Sequence, residues 1–208
     1  MKDQLVECVF CEENLKASAS PFDRIVASSE TARIVPALGM MVPGYFLALT
    51  NRHVEAVANL DIDEAVPMYR WLERLTDIWA VRFGEYVMVE HGSCPGVKTG
   101  SCITHAHVHL VPMGETLASR LLDSEAVVWQ RINDVRKLGE LRGQGYVSLK
   151  TKSGVWASSR ISLPSQWLRQ QMAEHLGREI WDWALEAGWA QLESTLAHLT
   201  TEDLSDCA

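Results

Sequence analysis

Residues 104 to 112, THAHVHLVP, alternate imidazole with apolar side chains: His105, His107 and His109 share one parity, and Ala106, Val108 and Leu110 the other. Successive side chains of a strand point to opposite faces, so this period of two predicts a strand with its imidazoles on one face and a core-packing surface on the other. TARIVP (31–36) and PGYFLALT (43–50) read as two further strands, an antiparallel hairpin with its turn around Gly39. EYVMVEHG (85–92) reads as a third, joined to the histidine strand by the small-residue loop SCPGVKTGS. Between them Val66, Met68, Tyr69, Leu72, Leu75, Ile78 and Trp79 recur at helical spacing. They predict a helix of about 20 residues from Asp63, with Asp63 as its N-cap and Gly84 as its stop. The sum is an α+β fold, a meander of antiparallel strands crossed by one long helix.

After Met113 the pattern changes. Residues 115–138 read as helical, and GYVSLKTKSGVWASSRIS reads as a hairpin turning at Lys152-Ser153-Gly154. LPSQWLRQQMAEHLG reads as a helix opened by Pro164 and Ser165 and closed by Gly177, and a last helix is expected from about Trp181 to Leu199. With no repeat and no low-complexity linker, the boundary near residue 114 marks a change of module: a core domain over 1–113, then an extension of helices and a hairpin over 114–208 packed on it. Trp156, Trp167, Trp181, Trp183 and Trp189, five of the eight tryptophans, lie in the last third, so this part is expected to fold against something.

Composition narrows the chemistry. A chain of 208 residues, 47% apolar and 22% charged, has the balance of a globular protein with a real core. A formal charge of −8 excludes a broad nucleic-acid surface, though not a local pocket for a small anion. No apolar run approaches the roughly 18–20 residues of a spanning helix, and the polar start MKDQLVE lacks the features of a secretion signal. No membrane partner and a cytoplasmic location are therefore expected. Five cysteines, an odd number, are poor material for a disulfide framework and better material for a metal site.

The CVFC stretch brings Cys8 and Cys11 within one turn. Alone it describes two buried apolar cysteines equally well, and His53 alone is an ordinary histidine at a strand end. A histidine strand changes the weighting, because zinc takes four nitrogen or sulfur ligands in a tetrahedron, commonly two cysteines from one turn and two histidines from elsewhere. Cys8, Cys11, His53 and, most simply, His105 are assigned to a structural zinc site. Two chemistries stay open for the row of imidazoles: a metal site in its own right, or catalysis, in which a neutral ring nitrogen attacks phosphorus while its neighbours fix tautomers and donate to phosphate oxygens. Packing alone fits less well, since each buried ring must find polar partners.

HAHVHLVP resembles the signature of the histidine triad (HIT) superfamily, His-φ-His-φ-His-φ-φ with φ apolar, at every position. VPGYFLALTNRH resembles the strand and turn of that family, and CVFC the N-terminal element of its zinc-bearing members. The resemblance covers roughly residues 8–113, and PSQWLRQQMAEHLG followed by WDW is similar to the C-terminal extension of a bacterial subgroup. It implies a HIT-like sheet and a nucleotidyl hydrolase or transferase acting on a small nucleotide or nucleotide conjugate. His107 is then the nucleophile toward the α-phosphorus, forming a nucleotidyl-histidine, His109 contacts the phosphate oxygens, and His105 is a zinc ligand. It also implies a homodimer, paired through sheet and helix.

Some positions depart from the family. Tyr45 stands where a histidine commonly follows Pro-Gly, Ala37 where an asparagine holds the ribose, and Ser101 near the place of a glutamine. His91 and Ser93 sit where the family places polar contacts to the phosphate or leaving group. Ser165, Gln166 and Arg169 are expected in the first turns of a helix, where backbone N–H groups favour an anion and Arg169 adds a bidentate contact. The bland alternative is a Ser165 cap and a solvated Arg169. Ala37 and Tyr45 motivate a second function, a non-catalytic nucleotide-binding or interaction module on the zinc-stabilised scaffold.

Overall fold

The computed structural model describes residues 8–101 and 103–199, so the start MKDQLVE, Cys102 and Cys207 lie outside the described residues. A short helix α1 (Glu12–Ala17) leads into strands β1 (Ala27–Ser28), β2 (Ala32–Pro36) and β3 (Phe46–Thr50). The long helix α2 (Ile62–Phe83) follows, then β4 (Val87–Gly92) and β5 (His107–Val111). Beyond them come α3 (Gly114–Leu122), β6 (Gln130–Arg131), β7 (Tyr146–Thr151), β8 (Gly154–Ser158), α4 (Trp167–His175) and α5 (Trp189–His198). The strands form one eight-stranded sheet in the order β1-β2-β3-β5-β4-β7-β8-β6, and every neighbouring pair is antiparallel. The boundary expected near residue 114 falls between β5 and α3. The sheet continues across it, because β7 pairs with β4 from Met88↔Lys150 to Gly92↔Tyr146.

Strand alternation sorts the core into two layers. Phe46, Ala48, Met88, Val108 and Leu110 face Met68, Leu72, Leu75 and Trp79 of α2. The opposite face carries Leu47, Leu49, Val87, Val89, Val147 and Leu149, and is covered by Leu117 and Leu121 of α3, Trp167, Leu168 and Met172 of α4, and Leu192 of α5. Each of these side chains contributes about 1.5–3 kcal/mol on leaving water. The register Leu49↔His107 and Leu47↔His109 puts the histidines on this second face. The face read from the sequence as a display surface is therefore a roofed one, covered by residues after 113 and, over the histidines, by Phe10.

Several boundaries move for local reasons. Helix α2 begins at Ile62 with Asp61, not Asp63, as its cap. The Glu64 carboxylate accepts the Asp61 N–H at 3.1 Å, while the Glu64 N–H reaches the Asp61 carbonyl at 3.0 Å. Of the helix expected over 115–138, α3 forms and its far end joins a 3-10 helix over Val135–Leu141. Between them Trp129 Nε1 donates back to the Leu121 carbonyl at 2.7 Å and Asn133 takes a left-handed φ of 61°, while the Asp134 carboxylate caps the 3-10 helix by accepting the Arg136 N–H at 2.9 Å. The left-handed residue breaks the continuous helix. The helix expected from Pro164 starts at Trp167, and the one expected from Trp181 starts at Trp189. No helix among the described residues is long and apolar enough to cross a membrane.

Helix α5 and the residues just before it are bound to the loop between β2 and β3. The Gly39 N–H donates to the Ala187 carbonyl at 2.7 Å, and the Gly44 N–H to the Thr195 hydroxyl at 2.8 Å. Gly188 has φ 82°, and a Cβ there would lie 2.3 Å from the Met40 carbonyl oxygen. That neighbour is backbone and has no rotamer to change. Gly188→Ala is expected to destabilise the chain by about 3 kcal/mol or more, read as a shift in the urea midpoint; an unchanged midpoint would contradict this close approach.

Candidate functional site

The polar groups that the sequence singles out gather around the start of β5. Thr104 and His105 lie in a bend just before the strand, where His105 is nearly fully buried. Its Nε2 faces the Thr50 carbonyl at 2.8 Å. A carbonyl only accepts, so Nε2 carries the proton and Nδ1 presents its lone pair. That nitrogen lies 3.5 Å from Cys8 Sγ and 4.0 Å from Cys11 Sγ, and Cys11 Sγ lies 3.5 Å from His53 Nδ1.

Zinc–sulfur bonds of about 2.3 Å and zinc–nitrogen bonds of about 2.0–2.1 Å at the tetrahedral angle separate sulfur from nitrogen by about 3.5 Å. All four ligand atoms here fall within 4.8 Å of one another. Cys8, Cys11, His53 and His105 thus fit a structural zinc site, with the Thr50 carbonyl orienting one ligand from behind. Burial and the neighbouring Cys8 push the Cys11 thiol up in the metal-free chain, a repulsion that a divalent cation relieves. Arg33, itself buried, donates to the Phe10 and Thr50 carbonyls at 3.4 Å and ties the CxxC turn to the ends of β2 and β3. Among the described residues no other group of three or more such ligands comes together, so His107 and His109 are left out of the metal set.

His107 is held differently. Its Nδ1 faces the His105 carbonyl at 2.8 Å, which puts the proton on Nδ1 and leaves Nε2 as a lone pair. Phe10, between the two cysteines, packs its ring edge-on against His107 at 5.5 Å and against His105 at 6.2 Å. The His107 and His109 rings lie 5.0 Å apart. Of this pair His107 is 7% exposed, while His109 is only partly buried. Burial holds His107 below the ordinary histidine range and His109 well below it, so both are neutral at pH 7.

Tyr45, the departure from the family pattern, lies on this face beside β3. Its hydroxyl meets His109 Nδ1 at 2.7 Å; burial pushes the phenol pKa up to about 12, and the positive charge of Arg169 pulls it the other way. Arg169 is buried on α4, where its Nε donates to the Trp181 carbonyl at 2.7 Å and a terminal nitrogen to the Leu38 carbonyl at 3.4 Å. Gln166 is the left-handed residue capping α4, and its amide bonds Asp182 at 3.0 Å and the Trp183 N–H at 3.3 Å. Gln166 and Arg169, expected at an anion, thus have partners within the chain. The Ser101 hydroxyl donates to the Ile103 carbonyl at 2.7 Å in the loop before β5. Ser93, half-buried just after β4, is anchored by its N–H to the Glu55 carbonyl at 3.2 Å. The sequence marks Tyr45 as a mismatch but gives no sign that its hydroxyl meets His109; its place after Pro43-Gly44 is the available signal.

His91, near the end of β4, is buried between His109 at 5.7 Å and Trp167 at 6.0 Å. Its Nε2 is buried with no hydrogen-bond partner among the described residues. An orphaned buried ring nitrogen costs about 1–3 kcal/mol. Burial, then the nearby His107, depresses its pKa to about 3. The unfolded chain takes up this proton as the pH falls below about 6.5, but the native chain does not until about 3. Stability is therefore lost across that window as the pH falls. On the other face of the sheet, burial raises Glu90 to about 7; its stabilisation is present below about 4.5 and is lost as the pH rises through 7. Comparison with His91→Gln cancels the Glu90 effect. Between pH 6.5 and 5 the variant is expected to lose stability less steeply than wild type, by a difference that rises to about 1.4 kcal/mol per pH unit, measured by urea unfolding; parallel slopes would contradict a neutral buried His91.

No protein-family model matches the chain, and no curated protein does. Among solved structures it is similar to a zinc-bound histidine triad family protein from Mycobacterium smegmatis, with 15% identity over 66% of this chain and 91% of that one and a TM-score of 0.43. A HIT family hydrolase from Clostridium thermocellum shares 22% identity over 53% of this chain and 96% of its own, with a TM-score of 0.40. A histidine triad protein from Clostridium difficile shares 14% identity over 51% and 90%, also with a TM-score of 0.40. Over 51–66% of its length the chain is similar to these histidine triad proteins.

Proposed function

We propose that the chain is a nucleotidyl hydrolase or transferase acting at the α-phosphate of a small nucleotide or nucleotide conjugate through a nucleotidyl-histidine on His107. One observation carries this reading: the His105 carbonyl accepts from His107 Nδ1–H, which leaves a neutral Nε2 lone pair on a ring beside His109. In the first step His107 Nε2 bonds to the α-phosphorus as the bond to the leaving group breaks; in the second, water or another acceptor displaces the imidazole. His109 donates to a phosphoryl oxygen, where charge accumulates. His91, with its orphaned nitrogen, receives a phosphate or leaving-group atom. A zinc ion at Cys8, Cys11, His53 and His105 supplies rigidity, fixing the carbonyl that orients His107.

The test is intact-mass spectrometry of the full chain with a panel of nucleotides and dinucleotides, alongside turnover. A nucleotidyl adduct or product is expected, and neither appearing across the panel would remove this reading. The burial of His107 beneath Phe10 supports a second reading, nucleotide binding without chemistry, which tight binding with no adduct would select. Two copies, if they pair as expected, join through a surface other than the β4 edge, which β7 occupies.

A further inference from the structure

We propose that Cys8 and Cys11 form a reversible oxidation site: hydrogen peroxide joins them as a disulfide, the metal is released, and Phe10, between the two cysteines, no longer covers His107. The effect on catalysis rests on the reading of His107 as nucleophile; the oxidation and the uncovering do not.

The metal-ligating side chains lie near the surface, while the ring they support is buried. His53 is exposed and Cys8 and Cys11 are half-buried, so of the four ligands only His105 is closed to small solutes. The two sulfurs lie within 4.8 Å of each other, and the Cys11 N–H donates to the Cys8 carbonyl at 3.0 Å. A turn closed in this way keeps its end Cα atoms within about 7 Å, and a disulfide spans about 4.4–6.8 Å between them. One thiolate attacks a peroxide oxygen: an S–O bond forms, the O–O bond breaks, and hydroxide leaves with the electron pair. The second thiolate displaces another hydroxide from that sulfur as the S–S bond forms. The sulfurs lose two electrons, the peroxide gains them, and two protons from solvent turn the hydroxides into water. A disulfide offers no thiolate, so the metal loses two of its four ligands.

Two links carry the change to His107. The first is Phe10, whose ring packs edge-on against His107 with centroids 5.5 Å apart and whose place is set by the cysteines on either side of it. The second is the His105 carbonyl, which accepts from His107 Nδ1–H at 2.8 Å and belongs to a ligand. Oxidation therefore bares the His107 ring and loosens the group that fixes its tautomer. His91 supplies an internal contrast, because it is buried between His109 and Trp167 rather than beneath Phe10.

The test treats the full-length, zinc-loaded chain with hydrogen peroxide and needs no nucleotide. A chromogenic chelator is expected to collect one equivalent of zinc, and peptide mapping by mass spectrometry to find Cys8 linked to Cys11. Carbethoxylation of His107 by diethyl pyrocarbonate should become about tenfold faster, as for a ring released from local protection, while His91 keeps its slow rate. Dithiothreitol followed by zinc should restore the starting rate at His107. Phe10→Ala in the reduced, zinc-loaded chain should accelerate His107 to a similar extent without peroxide; if that variant does not fold, the peroxide arm decides alone. Zinc that stays bound, linkage of Cys8 or Cys11 to another cysteine, or an unchanged rate at His107 overturns the proposal. So does equal acceleration at His91, which would mean that the chain had simply unfolded. A chain that responds as expected but forms no nucleotidyl adduct overturns the proposed function and leaves the oxidation site standing.

Discussion

His107→Ala is expected to abolish nucleotidyl transfer while leaving the fold standing. The ring supplies the atom that bonds to phosphorus, and neither neighbour substitutes for it: His105 Nδ1 lies among the zinc ligands, and His109 Nδ1 is taken by Tyr45. Loss of a covalent nucleophile lowers turnover by about 10⁴-fold or more. The strand survives because its ladder to β3 and β4 is backbone and its apolar face is unchanged. The measurement pairs the mass of the chain after incubation with nucleotide against its circular dichroism. A variant that still gains the adduct at the wild-type rate places the nucleophile elsewhere.

The second large effect is expected from the metal centre. Cys8→Ser with Cys11→Ser should lower bound zinc from one equivalent to none and destabilise the whole chain. Structural zinc sites in small peptides contribute roughly 12 kcal/mol. A third of that, in a chain of this size, lowers the melting temperature by about 10 °C. The loss spreads because Phe10 lies between the two cysteines and packs on His107, and the Phe10 carbonyl is held by Arg33. Elemental analysis and thermal melts with and without a chelator check this. A variant that loses the metal yet melts at the wild-type temperature would show that the cluster does not support the fold.

The chain announced its chemistry more clearly than its enclosure. The period-two histidines, the CxxC turn, the long helix and the hairpin over 145–162 are local patterns, and local patterns survive translation into structure. The four zinc ligands were legible because donor chemistry and order in the chain restrict the set, even though Cys8 and His105 are 97 residues apart. The pairing of β7 with β4 was not legible, because nothing in Tyr146–Thr151 states which edge it will meet. The same holds for Arg169: at the start of a helix it reads as a phosphate ligand, and only the fold brings Leu38, Tyr45 and Trp181 to it. Where a helix was expected from Trp181, bonds from Gln166 and Arg169 claim the backbone of Trp181 and Trp183. Tertiary contacts there outweigh local propensity.

The partnership of β7 with β4 also sets how far the chain tolerates shortening. A product cut after Met113 would keep every histidine of the motif, yet β4 would show a bare rim of unanswered amide and carbonyl groups beside greasy residues stripped of their cover. Such a rim recruits strands from other molecules, so the trimmed piece is destined for the pellet rather than for a minimal enzyme.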